Sequence, residues 1–261
     1  MTATSTAELA IYATLSIPNI YILFKHGRAG LLGWAYLFAF CTLRIVGGAM
    51  DLSGSTSAGI ISSVGLSPLL LAAFGILQEA RAYYSDPLEK MVKWAVVLLF
   101  HVNVTTGVAI LAVGASNQES SDVKSSDASK DASLVKVGIA LLTLSWAFIV
   151  IGSVWTLARP AKFPMSKSSI AVGTKLLWSV LVSNIFSGIR VIYALVALVT
   201  QDKSLNPVTR SLAIRVILSL IPELISVLAF IVAGLLTRNA AQDLSKAKRA
   251  PGRNGRTSTE I

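Results

Sequence analysis

A single cysteine, two histidines and a charged fraction of only 14% are what this 261-residue chain has least of. One thiol excludes an internal disulfide, so Cys41 leaves the redox compartment unread. Cysteine and histidine together are too few for a structural zinc site. No H-E-x-x-H or similar spacing sets two ligands on one helix face, so neither a metal nor a cofactor is called for. The first seven residues hold no basic side chain, so the apolar stretch behind them lacks the charged flank of a cleavable signal peptide. The net charge is +10, yet no soluble stretch is long enough to present a basic surface, which sets nucleic acid aside as a partner.

Apolar residues make up 54% of the chain, and the mean hydropathy is +0.68. They are gathered into seven runs of about twenty residues, the length an α-helix needs to cross a hydrocarbon core of about 30 Å. The runs extend approximately over Glu8–Phe24, Gly30–Met50, Gly59–Gln78, Met91–Ala115, Leu134–Ala158, Thr174–Thr200 and Val208–Leu236. Each is continuous where a barrel strand would alternate, so helices are expected. The expected fold is all-α, a polytopic membrane bundle of seven transmembrane helices over residues 1–237, with lipids around it. A basic tail, residues 238–261, should be disordered. Asn117–Ser133, rich in serine and mixed charge, reads as a mobile loop.

Basic residues give the orientation. With the amino terminus outside or in a lumen, the cytosolic segments carry 15 Lys and Arg and the opposite segments 5. The positive-inside rule then places the amino terminus out and the carboxyl terminus in the cytosol. No internal repeat is evident.

Ionisable residues inside spanning helices are costly and mark interior faces or wet cavities. In the second run Arg44 and Asp51 share a face; Arg44 either points inward or snorkels to the headgroups. In the fourth, Trp94, Leu98, His101 and Thr105 follow one face, with Asn103 one step round. In the sixth, Ser183, Ser187 and Arg190 share a face, with Asn184 adjacent. The seventh carries a polar stripe of Arg215, Ser219, Pro222, Glu223 and Ser226. Pro222 cannot donate to the Leu218 carbonyl, so a break is expected there. Arg215 is eight residues from Glu223, about 12 Å along the axis, so Arg190 or Arg44 is the expected partner of the carboxylate. Two accounts stay open: an Arg–Glu network holding the helices in register, or a ligand or catalytic site. In the second account Glu223 and His101 are the proton-transfer groups. Arg44, Asp51, Asn103, Asn184, Arg190 and Arg215 would then hold the anionic head of a lipophilic small molecule.

The segments FKHGRAGLLGW, LRIVGG and GLSPLLLA, together with the seven-run pattern, resemble a family of integral membrane proteins from filamentous ascomycete fungi. That family is distantly like fungal lipid-translocating exporters and the small membrane proteins that accompany specialised-metabolite pathways. The resemblance implies a protein of the endoplasmic reticulum membrane that acts on a polyketide- or terpenoid-type intermediate. It would do so as a membrane-embedded cyclase or isomerase, or as an accessory to other membrane-bound biosynthetic enzymes. A lipid translocator and a receptor-like lipid-binding protein are the alternatives. The seventh run has no lysine for a Schiff base, which excludes a retinal pigment.

Overall fold

The computed structural model describes residues 2–55, 61, 64–83, 90–119, 125–158, 167–200 and 216–239. Among these residues helices are the only regular secondary structure, as the continuous apolar runs predict. Six helices are long and apolar enough to cross a membrane. They are α1 (Thr4–Gly27), α2 (Gly30–Leu52), the spans within α4 (Lys90–Glu119), α5 (Ser125–Ala158) and α6 (Lys167–Thr200), and α7. The last is a π-helical turn, Val216–Leu220, running directly into an α-helix, Ile221–Thr237.

Helices α1 and α2 form a hairpin whose only interruption is at Gly27 (φ 57°, ψ −148°), a conformation essentially closed to residues with a side chain. The chain therefore reverses within a residue or two. The two helices run antiparallel, with Ser5 donating a hydrogen bond to Asp51 near the open end.

The remaining helix, α3 (Leu66–Arg81), is different in kind. Its 16 residues reach about 24 Å, short of a full hydrocarbon thickness, and all but Gln78 and Arg81 are buried. A helix that is apolar all round belongs inside a bundle. Each of the other six turns large apolar side chains outward, for example Phe24, Leu31, Leu99, Ile151, Ile185 and Val232, and α3 turns none. It lies against α2, α4, α5 and α6. Contact with α2 is backbone to backbone: a Cβ on Gly75 would sit 2.5 Å from the Gly33 Cα. Against α4, Phe74 stacks on Phe100 with ring centroids 4.0 Å apart.

The serine-rich stretch expected as a loop is largely helix. α4 continues to Glu119 and α5 starts at Ser125, and Asn117 Nδ2 donates to Asp131 Oδ1 at 2.8 Å across the hairpin. Helices of 30 and 34 residues are longer than the hydrocarbon core requires, so their ends project beyond it and carry polar residues without losing helicity. Residues 120–124 and the tail from 240 onward lie outside the described residues.

Candidate functional site

The polar stripes of α6 and α7 face each other. Spacings of four and three put Ser183, Ser187 and Arg190 on one face of α6, and all three are buried. Ser219, Glu223 and Ser226 are buried on α7 in the same way. The helices mate antiparallel: Arg190 Nη1 donates to Ser219 Oγ at 2.8 Å, and Ser226 Oγ reaches the Ser183 carbonyl at 3.5 Å. The break expected at Pro222 takes the form of the π-turn that precedes it, a widened turn often found where a helix serves a function. Ser219 belongs to that turn, and Glu223 opens the helix beyond it.

Glu223, 1% exposed, sits between two guanidiniums: Arg44 Nη2 pairs with its Oε2 and Arg190 Nη1 with its Oε1. Arg44 is 5% exposed, so it does not snorkel to the headgroups; the bundle interior holds it. Its guanidinium lies 5.5 Å over the Phe40 ring, and the bare Gly65 of the stretch leading into α3 backs it. A Cβ on Gly65 would come within 3.3 Å of Arg44 Nη2. Three helices, α2, α6 and α7, are thus joined by one carboxylate that accepts from both sides.

A second buried cluster, which the sequence reading missed, joins α1, α2, α3 and α7. His26 Nδ1 is 2.6 Å from Glu79 Oε1, and Trp34 Nε1 donates to Glu79 Oε2 at 3.0 Å. His26 Nε2 lies 3.1 Å from the Gly234 carbonyl and 3.4 Å from Thr237 Oγ1. A carbonyl only accepts, so Nε2 carries a proton. The second shared proton then lies between Nδ1 and Glu79, and the pair as a whole is neutral. The order Thr237–His26–Glu79 has the outline of a nucleophile–base–carboxylate triad, but the proton count excludes it. Nε2 has no lone pair to offer, and Thr237 gives its own proton to the Ala233 carbonyl at 2.7 Å. This cluster clamps helix ends.

The other predicted residues are dispersed. His101 is half-buried on α4, its Nδ1 donating to the Val97 carbonyl at 2.7 Å and its ring beside Tyr36 and Phe74. Trp94 and Leu98, on the same face, are 67% and 66% exposed, so that face looks largely to lipid. Among the described residues nothing joins His101 to Glu223. Asn103 ties α4 to α5 through the Leu141 carbonyl at 3.1 Å and Ser145 Oγ at 2.8 Å. Asn184 ties α6 to α5, its side-chain amide donating to Ser153 Oγ at 3.3 Å, while its backbone carbonyl accepts from Trp146 Nε1 at 2.9 Å. Asp51, about two turns beyond Arg44, closes the α1–α2 hairpin through Ser5. Arg215 lies outside the described residues. Among the described residues, no group of three His, Cys, Asp or Glu is placed to hold a metal ion.

The family model described as "Domain of unknown function (DUF7702)" matches residues 2–240, which takes in both buried clusters and every helix. The chain belongs to the DUF7702 family. No curated protein and no solved structure matches this DUF7702 chain. Its six long apolar helices fit a multi-pass integral membrane protein in contact with lipid.

Proposed function

We propose that this protein is a seven-crossing membrane protein that receives a lipophilic molecule at the meeting of α2, α6 and α7. It acts there on a polyketide- or terpenoid-type intermediate, as an isomerase or cyclase or by presenting it to a partner enzyme. One observation carries the proposal: two arginines and a glutamate are buried together inside an apolar bundle. Residues of that kind are expensive to keep in a membrane interior and are retained there for substrate or ion pathways. Glu223 serves as the counter-charge that fixes both guanidiniums, and His101 stands outside the site. The class of intermediate rests on the sequence resemblance alone, as does the endoplasmic reticulum as the host membrane. The amino terminus lies outside the cytosol, on the strength of the basic-residue asymmetry.

Deleting the gene in its source organism, and complementing the deletion with wild type or with Arg190→Met, tests this. An intermediate that accumulates in the deletion and in an Arg190→Met strain with normal membrane abundance supports the proposal. A metabolite profile unchanged by deletion refutes it.

A lipid or small-molecule translocator is the second reading. It is favoured by the His26–Glu79 cluster, which meets α7 at Gly234, eleven residues and about 16 Å along the axis from Glu223. Buried polar clusters toward opposite ends of one helix suit a path as well as a pocket. Uptake of a labelled lipophile into proteoliposomes separates the two.

A further inference from the structure

Helix α1 carries a polar residue on its inner face at every seventh position: Ser5, Tyr12, Asn19 and His26, all buried. Glu8, also buried, adds another between the first two. Seven residues are nearly two turns, so the row keeps to one side of the helix along the whole span. The α1–α2 pairing that sets Ser5 at Asp51 sets Tyr12 level with Arg44, and both pack on Phe40. Tyr12 is also close enough to feel the charges of Glu8 and Arg190. Arg44 pairs with Glu223, and fourteen residues beyond Tyr12 and Glu223 His26 meets Thr237 at 3.4 Å. Helices α1 and α7 therefore run the same way and in step, and Asn19, midway on α1, is level with Phe230. The row thus joins the two buried clusters. Among the described residues, buried hydrogen-bonding atoms without a partner lie along that interval: Tyr12 Oη, Ser187 Oγ, Ser183 Oγ and Asn19 Oδ1. Asn19 Nδ2 is turned to the Trp34 carbonyl at 3.5 Å, which leaves Oδ1 as the spare acceptor. Other buried hydroxyls, such as those of Ser153 and Ser179, fold back on a carbonyl of their own helix. On α6, Ser187 lies opposite Pro222 and Ser183 opposite Ser226. From the level of Glu223 it is three residues to Ser183, four more to Asn19, and four more to Gly234 at His26 Nε2. Each step is about 4.5 to 6 Å along the axis.

A row that mixes donors and acceptors suits water, which is both, and one bridging water spans about 5.6 Å between two such atoms. Three kinds of group along the row exchange protons: the carboxyls of Glu79, Glu223 and Glu8, the His26 imidazole and the Tyr12 phenol. The serines and Asn19 hold water in place without ionising. Acids and histidines in file inside a membrane mark proton relays. We propose that the inner face of α1 is a proton path linking the His26–Glu79 and Glu223 clusters, leaving through Glu8 and Asp51 at one end and past Thr237 at the other. A proton bound at one end releases another at the far end. Every carrier regains its starting protonation, and only O–H and N–H bonds are made and broken. A hydrated metal cation does not fit this path. Leu37, Val227 and Phe230, at the levels between the clusters, are buried and apolar, and Arg44 and Arg190 repel a cation. For a proton handed along hydrogen bonds, Glu223 and Glu8 offset the two arginines. The path goes beyond the lipophile-binding function and does not depend on it.

The experiment reconstitutes the full-length protein into phosphatidylcholine liposomes that hold a pH-sensitive dye. A potassium gradient with valinomycin makes the interior negative. The interior should acidify at least tenfold faster than in protein-free liposomes. Tyr12→Phe removes a hydroxyl that has no protein partner, and Asn19→Leu keeps the size of the side chain, so both should melt like wild type. Each should slow acidification at least fivefold. If Asn19→Leu melts early, Tyr12→Phe alone decides. A wild-type rate no greater than the protein-free one overturns the path. A variant that melts like wild type and keeps more than half of the flux overturns the route along α1. Sodium entering as fast as protons reveals an open pore and overturns the assignment to protons. None of these outcomes touches the lipophile site, which the metabolite profile of the deletion decides.

Discussion

Replacing Glu223 with glutamine is the sharpest perturbation the structure offers. The side chain keeps its shape and one acceptor, yet the charge facing Arg44 Nη2 and Arg190 Nη1 is gone, and position 223 is 1% exposed. Neither guanidinium can reach water without moving, since the two arginines are 5% and 8% exposed. Removing one member of a buried ion cluster costs about 3–5 kcal/mol, because the charges left behind are uncompensated. Native proteins hold only about 5–15 kcal/mol in all, so about a fifth or more of the stability is at stake. A loss of that size lowers the melting temperature of a chain this long by roughly 10 °C. Fluorescence-detected size-exclusion chromatography of a heated, detergent-solubilised fusion reads it directly. The triple change Arg44→Met, Arg190→Met, Glu223→Leu provides the control. With all three charges absent no penalty remains, and most of the lost stability should return. A Glu223→Gln protein that melts like wild type would falsify the account of Glu223 as the shared counter-charge. A triple variant weaker than every single one would show that packing, not charge balance, holds the three helices.

Three more perturbations bear on other parts of the fold. In a Cys41→Ala background, a cysteine at residue 122 should be labelled by a membrane-impermeant maleimide only from the side opposite the cytosol, and one at residue 250 only from the cytosol; labelling of both from one side sinks the orientation. His26→Phe leaves the Glu79 carboxyl buried without its main partner and should cost about 3 kcal/mol, read as a drop in melting temperature, whereas His26→Phe with Glu79→Leu should recover much of it. Asn103→Leu removes two hydrogen bonds between α4 and α5, which in a membrane are each worth about 0.6 kcal/mol, so a fall of more than a few degrees would mean that Asn103 does something beyond linking two helices.

What the sequence made legible follows from what a linear pattern records. The α7 stripe stood out because Ser219, Glu223 and Ser226 interrupt an otherwise apolar run, and the α6 stripe because three polar residues keep helical spacing. Arg44 was ambiguous, since its place along α2 suits snorkelling as well as burial, and only the register between helices decides. That register is a tertiary fact. His26 and Glu79 do not stand out in the sequence because each lies near the end of its apolar run beside a basic residue, Lys25 or Arg81, where a charged flank is ordinary. A signal was nevertheless present. The topology that sorts the basic residues also puts the ends of α1, α3 and α7 on one side, and so brings a lone histidine and a lone acid to the same level. Helix α3 resembled its neighbours in composition because lipid and a protein interior are equally apolar; no hydropathy pattern separates a helix solvated by lipid from one solvated by other helices. Asn117–Ser133 reads as a loop because apolar periodicity reports burial, and a helix that projects into water is helical without it.

The two buried clusters also come of age at different times. His26, Trp34 and Glu79 lie within the first third of the chain, so this clamp gains its first three members as soon as α3 has been made. Arg44 meets its carboxylate only when Glu223 is synthesised, about 180 residues after itself, which at translation rates of about 5–20 residues per second is a wait of roughly 10 to 35 s. For that interval a guanidinium in α2 has no counter-charge from α7, and for most of it α3 has no α6 to cover it. The nascent chain is therefore a hairpin and a short third helix already latched at one end, with the other end open. Closing it falls to the last helix off the ribosome, so a chain that stops short of Glu223 leaves Arg44 exposed to whatever recognises an orphaned charge in a membrane.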